Sequence, residues 1–309
     1  MTDLSDLETL VAVATSGSFA KAARRLSISP AMVGRRIQTL EDRYNTKLIE
    51  RSTRSQRLTP VGKDFLLMAT QIIESFDALN DLARPDTGHL SGRIRVTGPT
   101  TLGINRLTQI AASFTTQHPD VAIELNLNDR SVDLISGGYD LAVRIGELTP
   151  SSMIARRVGT YRFVCCASPA YIQHQGSPDS PTDLLRASCV LDLNLVPRNR
   201  WPFLDSTGTP FTVEVRGNLE IDYGEALRSA ALAGAGIIYA PLDLVEDELK
   251  SGLLVQVLPK WQTMTLPIHT LHPSRRQVPR RVSAFIEAVA QAMKNTETAV
   301  PSAQIQTNS

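Results

Sequence analysis

The sequence predicts a chain of three parts: a small α+β unit, one long helix, and a two-part α/β body. Three observations support this division. Residues 1–59 contain three short segments with helical apolar spacing and then a polar, hairpin-like stretch. Apolar residues keep a helical period through residues 60–83, and from Gly92 onward strand patterns alternate with helix patterns. At 309 residues the chain also exceeds what one compact core usually takes.

The composition is that of a water-soluble protein. Hydrophobic residues make up 42% of the chain and the mean hydropathy is −0.08. No apolar run reaches the roughly 18 residues needed to cross a bilayer. The N-terminus, MTDLSDLETL, is acidic and carries no basic segment followed by an apolar one. We therefore expect no membrane segment, no secretory signal and a cytoplasmic location.

The sequence offers no metal site and no catalytic motif. Cys165, Cys166 and Cys189 form no Cys-x-x-Cys pair, and the five histidines are scattered. We expect reduced, buried thiols and neither metal nor cofactor. Neither a Gly-x-Ser-x-Gly elbow nor a phosphate-binding loop occurs, and residues 234–237 lack the third glycine of a dinucleotide fingerprint. No catalytic residue is therefore assigned.

Positive charge is concentrated near the N-terminus. Residues 21–57 contain ten Lys or Arg against three acids, which makes this segment +7. The whole chain is +1, so the remainder is −6. A small basic unit on a mildly acidic body is typical of a nucleic-acid-binding domain joined to a second domain.

Cap residues divide the first 28 residues into two helices. The pair Ser5-x-x-Glu8 predicts a capping box at the start of the first helix, and Gly17 is expected to end it in a left-handed conformation. Ser18 is expected to cap a second helix over Phe19 to Leu26.

A third helix follows a short turn, and its outer face is basic. Ser29 and Pro30 predict its start, as an N-cap followed by proline at the first helical position, and the helix is expected to run to about Tyr44. The period of 3.6 residues divides it into two faces. The residues expected to pack inward are Val33, Ile37, Leu40 and Tyr44, and those expected to project outward are Ala31, Gly34, Arg35 and Gln38. Helix, tight turn and basic helix predict a helix-turn-helix, and the polar stretch 50–56 predicts a two-stranded wing.

The long helix begins at Thr59-Pro60 and carries one apolar stripe. The stripe members assigned to dimerisation are Phe65, Ala69, Ile72, Phe76 and Leu79. A stripe of this length needs a partner, and a second copy of the chain is the simplest one. The alternative is a core helix of one domain. Residues 84–89 then predict a hinge.

The body is expected to contain two α/β units. The predicted division assigns 1–59 to the DNA-binding unit, 60–91 to the linker helix and hinge, 92–295 to the α/β body and 296–309 to a disordered tail. Within the body, subdomain I covers about 92–162 plus 266–295, and subdomain II covers about 163–265. Short helices are expected at 129–135 and, at the end of the body, at 282–293.

Several ordered motifs resemble one known family. They are the run Ser16-Gly-Ser-Phe-Ala-Lys-Ala-Ala-Arg-Arg-Leu26, then Leu48-Ile-Glu-Arg51, Leu58-Thr-Pro-Val-Gly62, Tyr139-Asp-Leu-Ala-Val-Arg-Ile-Gly146 and Gly252-Leu-Leu-Val-Gln-Val-Leu-Pro259. Together they closely resemble the LysR-type transcriptional regulators over about residues 4–293. The resemblance implies a winged helix-turn-helix, a linker helix that pairs with its twin, and an effector domain with a periplasmic-binding-protein-like fold and a ligand cleft. It also implies homodimers or dimers of dimers whose small-molecule effector alters transcription, with RNA polymerase as a further candidate partner.

Three residues depart from the family pattern. Gly34 stands where the family most often has serine on the recognition helix, Asn45 replaces a glycine, and Ile49 replaces a common phenylalanine. The glycine is the departure that matters, because a hydroxyl able to contact DNA is lost. The family's operator preference is therefore less transferable to this chain.

Candidate DNA contacts follow from side-chain chemistry. Arginine pairs with guanine and glutamine with adenine in the major groove, so Arg35 and Gln38 are expected to reach base edges. Ala31 suits a thymine methyl group, Ser29 and Thr53 suit phosphates, and Arg54 at the wing suits the minor groove. The alternative for each arginine is a solvated surface charge.

Candidate effector contacts lie at strand ends. Thr100 and Thr101 open a helix directly after a strand, and Arg144 ends another strand. Helix N-termini and arginine both favour anions, so we expect an anionic effector. Thr100 as a helix cap and Arg144 in a structural ion pair are the alternatives. By the family resemblance, Phe203 is expected to face the cleft from subdomain II.

Two other functions remain open from the sequence alone. An enzyme or solute carrier fused to a DNA-binding module is disfavoured by the missing catalytic signature and signal peptide. An architectural DNA-compacting protein would leave the α/β body without a role. The effector, the operator, activation against repression, and dimer against tetramer are not determined by the sequence.

Overall fold

The computed structural model describes residues 3–51, 56–83, 89–130, 132–150, 152–273 and 278–299. The three predicted parts are present. The N-terminal unit consists of helices α1 (Leu4–Ser16), α2 (Phe19–Leu26) and α3 (Pro30–Tyr44) and strands β1 (Ile49–Arg51) and β2 (Gln56–Leu58), and it is followed by the long helix α4 (Pro60–Ala83).

The helices of the N-terminal unit end largely where the predicted caps place them, but the Ser18 side chain at the start of α2 makes no cap hydrogen bond. Gly17 adopts φ of +65°, as predicted. Asn45, which the sequence predicts to end α3 in a left-handed conformation, adopts φ of +45°. The Ser29 hydroxyl accepts a hydrogen bond from the Met32 amide at 3.1 Å, which confirms the cap of α3. The capping box at Ser5 is wrong. Asp3 caps α1 instead, since its carboxylate accepts from the Ser5 amide at 3.2 Å, so the cap lies two residues earlier than predicted.

The inward face of α3 forms the centre of a small core. Val33, Ile37 and Leu40 are fully buried, as predicted. Tyr44 is not, since it is 47% exposed. It lies at the end of the helix and packs its ring edge-on against Phe65 of α4, with the ring centroids 4.9 Å apart.

A buried carboxylate of α3 holds the first wing strand in place. The amides of Leu48 and Ile49 donate to Glu41 Oε1 at 2.9 and 3.1 Å, and Lys47 Nζ donates to Glu41 Oε2 at 2.6 Å. Burial alone would raise the pKa of Glu41, but the hydrogen bonds from Lys47 and from the two amides lower it. β1 then pairs with β2 in an antiparallel wing. The predicted contacts Thr53 and Arg54 lie outside the described residues.

The start of α4 requires a glycine. The Thr59 amide donates to the Leu48 carbonyl at 3.0 Å, and the Thr59 hydroxyl accepts from the Gly62 amide at 2.9 Å. A Cβ on Gly62 would lie 2.1 Å from the Leu48 carbonyl oxygen. No other residue fits at this position, because the helix crosses the backbone before β1 too closely.

Strands and helices alternate in the body, with the strands in one long sheet and one small one. The strands are β3 (Gly92–Gly98), β4 (Val121–Leu127), β5 (Leu141–Ile145), β6 (Met153–Ala167), β7 (Ser188–Asp192), β8 (Arg200–Leu204), β9 (Pro210–Glu214), β10 (Arg216–Ile221), β11 (Ile237–Pro241), β12 (Val255–Val257), β13 (Gln262–Thr263) and β14 (Thr265–Pro273). The long sheet has the order β10-β7-β11-β6-β14-β5-β3-β4, with β12 also paired to β6, and β13, β8 and β9 form the small sheet.

Strand β6 connects the two halves of the long sheet. It pairs with β14 over its first ten residues and with β11 from Phe163 onward. We call the half that contains β3, β4 and β5 subdomain I, and the half that contains β7, β10 and β11 subdomain II. The three parallel strands of each half carry their carboxyl ends at one edge.

The helices of the body differ from the prediction in three places. They are α5 (Thr100–Leu102), a π-helical turn (Gly103–Leu107), α6 (Thr108–Gln117), α7 (Leu134–Gly137), α8 (Pro169–Gln175), a 3-10 turn (Pro181–Leu185), α9 (Gly224–Leu232), α10 (Leu242–Ser251) and α11 (Arg280–Ala299). The sequence predicts a helix over Leu102 to Gln117, and in the structure this helical segment begins two residues earlier, at Thr100. The short helix predicted over 129–135 is found later, as α7, because Asp133 Oδ1 accepts from the Ile135 amide and caps the helix at Leu134, while Asn128 Oδ1 accepts from the Arg130 amide and forms a turn before it.

The final helix is longer than predicted. It continues to Ala299, so residues 296–299 are helical and not part of a disordered tail, while 300–309 lie outside the described residues. In the described part of the chain no helix is long and apolar enough to cross a membrane. The three cysteines are free and buried, and burial raises the pKa of Cys166 and Cys189 to about 12.

Candidate DNA-binding face and effector cleft

The outer face of α3 presents the predicted contact residues together. Ser29, Ala31, Arg35 and Gln38 are exposed, and Arg35 has no ion pair within the described residues. A Cβ on Gly34 would meet nothing within 4 Å. The glycine is therefore not required by packing, and it leaves a shallow place in the middle of this face.

Several basic side chains of residues 21–57 form hydrogen bonds or ion pairs with other residues of the protein. Arg36 donates to Thr9 Oγ1 at 3.3 Å, and Lys47 pairs with Glu41. Arg25 donates to Thr15 within the N-terminal unit, and its backbone carbonyl accepts from Arg93 of subdomain I at 3.3 Å. The net charge of +7 thus overstates what the DNA-facing surface can offer.

Gln38 carries an internal partner. Its amide nitrogen donates to Asp42 Oδ1 one turn later at 2.5 Å. A base contact by Gln38 would have to replace this hydrogen bond. Ser29 is constrained in a similar way, since its oxygen already accepts from the Met32 amide, although its hydroxyl hydrogen is left for a phosphate.

The predicted dimerisation stripe divides into two faces of α4. Ala69 is fully buried in the N-terminal core and Phe65 packs partly against the same core, so Ala69 has no surface for a second chain. This corrects the assignment of Ala69, and the reason is that α1 covers that side of α4. Of the predicted members, Ile72, Phe76 and Leu79 are exposed. Together with Val61 and Met68 they form what we call the apolar stripe of α4, and each of these five side chains is between 45% and 62% exposed.

The cleft between the subdomains is bounded by strand ends and short contacts. Thr101 of α5 lies against the first residue of α9, because a Cβ on Gly224 would lie 2.4 Å from Thr101 Oγ1. Arg106, in the π-helical turn, donates to Asp243 Oδ1 at 2.9 Å and to Glu246 Oε2 at 3.1 Å on α10. Subdomains I and II are therefore joined on this side by an ion pair and a close contact.

The predicted residue Thr100 lies at the cleft, but its backbone amide already donates a hydrogen bond within the protein. The Thr100 amide donates to Asp129 Oδ1 at 2.8 Å. Asp129 follows β4, so its carboxylate occupies the helix N-terminus that the sequence assigned to an anionic ligand. Thr100 itself does not cap the helix with its side chain, because it is the first helical residue after Pro99.

Arg144 lies on the face of the subdomain I sheet that carries Thr97 and His269. His269 is its direct partner in register on β14. Arg144 Nη1 donates to the Val143 carbonyl at 3.2 Å, whereas Nη2 is buried with no partner in the described residues. Burial lowers the pKa of Arg144. The structural ion pair offered as the alternative role is absent from the described residues.

Phe203 does not line the cleft. It is fully buried, and its ring stacks on Phe211 and meets Tyr239 edge-on, with centroids 6.0 Å apart in both cases. The assignment of Phe203 to effector binding is therefore wrong. Trp201 and Phe203 alternate inward on β8, so both rings belong to the core of subdomain II.

The sequence analysis missed the acidic residues that follow the parallel strands. Asp129, Asp192, Asp222 and Asp243 lie at the ends of β4, β7, β10 and β11. The signal was present, since an aspartate occurs within two residues of the end of each of these strands. Ligands of open α/β sheets bind at that edge, so these side chains belong to the candidate cleft.

A separate cavity lies outside this cleft. It has a volume of about 550 Å³ and is lined by the loop 193–199 and by β10, with Val196, Arg198 and Glu220 at its walls. β10 is the edge strand of the long sheet, so the cavity opens to the side of subdomain II. Arg198 and Glu220 of its wall pair with each other at 3.1 Å, whereas Arg216, which also lines it, has no ion pair among the described residues.

Known protein families match both parts of the chain. Residues 4–63 match the model of the bacterial regulatory helix-turn-helix protein, lysR family, and residues 87–294 match that of the LysR substrate binding domain. The chain belongs to the LysR family of transcriptional regulators. It therefore combines a helix-turn-helix DNA-binding domain with an effector-binding domain, and it is a regulator, not an enzyme.

Individual relatives match over almost the whole length. The regulator is 32% identical to the HTH-type transcriptional regulator YhjC of Escherichia coli, over 95% of this chain and 99% of YhjC. It is 33% identical to the HTH-type transcriptional regulator PtxR of Pseudomonas aeruginosa, over 93% and 92% of the two chains. The full-length structure of the Vibrio cholerae virulence activator AphB matches with a TM-score of 0.61 at 28% identity, over 94% of this chain and 99% of AphB. The predicted family and fold class are confirmed.

Proposed function

We propose that this regulator binds operator DNA as a homodimer joined through α4, and that a small molecule between subdomains I and II sets its activity. The observation that carries the proposal is the apolar stripe of α4. It extends over about 27 Å at a rise of 1.5 Å per residue and remains exposed in the single chain. A second α4 would cover it with matching residues.

The DNA-reading surface of the proposal is the exposed face of α3. Arg35 and Gln38 are assigned to base edges, Ala31 and Gly34 to close approach, and Ser29 to a phosphate. Arg35 is the strongest of these assignments, because it is exposed and has no ion pair among the described residues. Gln38 must break its hydrogen bond with Asp42 before it can contact a base. Thr53 and Arg54 of the wing remain proposed contacts on the basis of sequence.

The effector site of the proposal is the cleft beside Thr100 and Thr101. The anionic effector expected from the sequence loses its main support here, since Asp129 occupies the helix N-terminus. A cytoplasmic location and contact with RNA polymerase are parts of the proposal that rest on sequence and family resemblance.

The dimer is tested with Ile72→Asp, which places a charge in the middle of the apolar stripe. Ile72 is 51% exposed, so the single chain should still fold. We expect the variant to be monomeric in size-exclusion chromatography with light scattering, and to bind operator DNA at least tenfold more weakly in fluorescence anisotropy. Leu253→Asp is the matched control, because Leu253 is an equally exposed apolar residue elsewhere.

An Ile72→Asp protein that keeps the oligomeric state of the wild type would refute the role of the stripe.

The same anisotropy titrations at several salt concentrations test the basic face. Each phosphate contact should contribute about −0.9 to the slope of log affinity against log salt. Arg35→Ala should flatten the preference for operator over unrelated DNA, and a salt-independent affinity would contradict the assigned surface.

A further inference from the structure

Three side chains on one face of the subdomain I sheet carry buried polar atoms without a partner. They are Thr97 of β3, Arg144 of β5 and His269 of β14. The atoms that make no hydrogen bond within the described residues are Thr97 Oγ1, Arg144 Nη2 and His269 Nδ1. Folded proteins pair the large majority of their buried polar atoms, so three such atoms in one region indicate a bound group that satisfies them.

The strand register brings these three side chains together. Arg144 lies directly opposite His269 in the ladder of β5 and β14, which places their Cβ atoms about 5 Å apart. Thr97 pairs with Ala142, two residues before Arg144. Thr97 therefore lies diagonally to Arg144, with about 8 Å between their Cα atoms, given the strand spacing and the rise per residue. An arginine side chain spans that distance.

The three side chains lie on the face of the sheet that is opposite to the main core. Successive side chains of a strand point to opposite faces. The residues directly before them belong to the main hydrophobic core: Val96, Val143 and Ile268. On the opposite face, Leu134 of α7 packs with Ala142 and Leu271. This small cluster closes the site on one side, and the site continues from there toward the carboxyl end of β5.

Arg144 has no counter-ion among the described residues. Arg95 of β3 lies on the same face, and it pairs with Glu124 at 3.1 Å. Arg144 instead donates through Nη1 to the carbonyl of the preceding residue at 3.2 Å, and its Nη2 is unpaired. Burial lowers the pKa of Arg144, and the opposing charge effect comes from the Tyr139 phenol, not from a carboxylate. A buried cation without a counter-ion is costly, so the site favours an anion.

The three groups fit a carboxylate. The guanidinium of Arg144 and the hydroxyl of Thr97 can each donate, and Nδ1 of His269 donates or accepts according to its tautomer. Water would satisfy the hydroxyl and the imidazole, but it would not neutralise the arginine. A carboxylate offers two acceptor oxygens, and its single charge matches that of one guanidinium. Sulfate and inorganic phosphate bring more negative charge than one arginine balances.

The site can be reached from the end of β5. Arg144 and His269 are half-buried as whole residues, so their outer parts remain accessible. A Cβ on Gly146, two residues after Arg144, would meet nothing within 4 Å, so there is open space next along the strand. The guanidinium is folded back onto its own strand, and its side chain can rotate toward this space. The carboxyl ends of β3 and β5 border the cleft, so a ligand in the cleft has access to the site.

We propose that Thr97, Arg144 and His269 bind a carboxylate group of the effector. This inference rests on the proposed function, since it names the chemical class of the ligand and the side chains of subdomain I that hold it. The anionic group expected from the sequence is thus held on the face of the sheet, and not at the helix N-terminus that Asp129 occupies.

The test uses the full-length protein and probes that share a shape but differ in charge. The pairs are acetate with acetamide, succinate with succinamide, and benzoate with benzamide, and inorganic phosphate and sulfate are added as free anions. Binding is measured by isothermal titration calorimetry at pH 7. We expect at least one carboxylate to bind at least tenfold more tightly than its amide and than either inorganic anion.

Variants then locate the binding. Arg144→Gln removes the charge and Thr97→Val removes the hydroxyl, and each should weaken carboxylate binding by roughly tenfold. Arg216→Gln is the matched control. Arg216 is an exposed arginine that also has no ion pair among the described residues, but it lines the separate cavity beside β10. Its replacement should leave carboxylate binding unchanged.

Thermal unfolding without ligand tests whether the hydroxyl of Thr97 is unpaired. Thr97→Val replaces a buried group that has no partner, so it should leave the melting temperature unchanged or raise it. Thr270→Val is the control on the opposite face. Thr270 is equally buried, at 1% exposure, but its hydroxyl donates to the Arg156 carbonyl at 3.4 Å, so its loss should lower the melting temperature. Equal losses in the two variants would contradict the proposed site.

The outcomes separate this site from the proposed function. Carboxylate binding that is lost in Arg216→Gln and kept in Arg144→Gln would overturn the proposal and place the anion in the separate cavity. Tighter binding of an amide or of an inorganic anion, or no carboxylate binding at all, also overturns it. The proposed function fails separately if a carboxylate binds through Arg144 and yet leaves the affinity for operator DNA unchanged in fluorescence anisotropy.

Discussion

In the N-terminal unit, the candidate contacts lie within ten positions of one another on α3, whereas the cleft residues come from four strand ends between Asp129 and Asp243. The first surface is defined by one helix and its period. The second exists only because β6 joins the two halves of the long sheet. Local sequence pattern is therefore informative for the DNA-binding face and weak for the cleft.

The two regions also differ in how they shift the pKa of a carboxylate. Glu41 is buried and stabilised by two amides and a lysine, so its pKa is lowered. Asp192 is half-buried, and its burial, together with the charges of Asp129 and Asp222, raises its pKa. The first group contributes to the stability of the fold, while the second is a charge that the fold accommodates at a cost, as is common at binding sites.

The largest effect is expected for Glu41→Ala. It leaves the buried amides of Leu48 and Ile49 without an acceptor, which should cost about 3 kcal/mol in the stability of the wing. Hydrogen–deuterium exchange over residues 47–58 should become much faster. Glu50→Ala, at an exposed position of β1, is the control and should change exchange little. Unchanged protection in Glu41→Ala would mean that the wing is held by other contacts.

Gly62→Ala is expected to be next. Its new methyl group would lie 2.1 Å from the Leu48 carbonyl oxygen, so α4 must shift, at a cost of about 2 kcal/mol. Gly34→Ala is the matched helical control. Nothing lies within 4 Å of its Cβ, and it should stabilise α3 by up to about 1 kcal/mol. Thermal unfolding of the two variants should therefore move in opposite directions, and equal shifts would contradict the assigned packing.

Arg106→Gln should have a smaller effect, confined to the body. It removes the ion pairs with Asp243 and Glu246, which are partly exposed, and should cost about 1 kcal/mol. Because these pairs join the subdomains, we expect faster exchange at the start of α10 and in residues 100–107. Exchange in the N-terminal unit should stay unchanged. A change spread evenly over the chain would show that Arg106 does not act at this boundary.

The smallest expected effect is on how the stability of the fold depends on pH. Glu41 and Asp192 should change this stability in opposite directions as the pH falls. The lowered pKa of Glu41 gives stability that is present above its unfolded value of 4.5 and lost as pH falls through the folded pKa. The raised pKa of Asp192 costs stability at neutral pH, and this cost disappears as pH falls from above the folded pKa toward 3.8. Glu41→Gln should reduce the loss of stability at acidic pH, and Asp192→Asn should remove the gain in stability that accompanies protonation of Asp192. Urea unfolding between pH 3 and 7 measures both, and equal pH profiles for the two variants would refute the contrast.

Much of the N-terminal unit could be predicted because its signals are local. The cap at Ser29, the left-handed Asn45 and the inward face of α3 each depend on residues a few positions apart. The errors arose where a distant residue intervened. The spacing of Ala69 predicts a dimer contact, but α1 covers it. Phe203 was predicted to contact the ligand, but it is buried in the aromatic core of subdomain II.

By itself, the sequence determined the family, the order of the domains, the ends of α2 and α3 and the outward direction of Arg35, because periodicity, caps and motifs act over short distances. Only the tertiary structure decided which face of α4 is free, why Gly62 must be glycine and that Asp129 occupies the N-terminus of the helix at Thr100. Those facts depend on segments fourteen or more residues apart in the sequence approaching within a few ångströms, and no local pattern encodes such an approach.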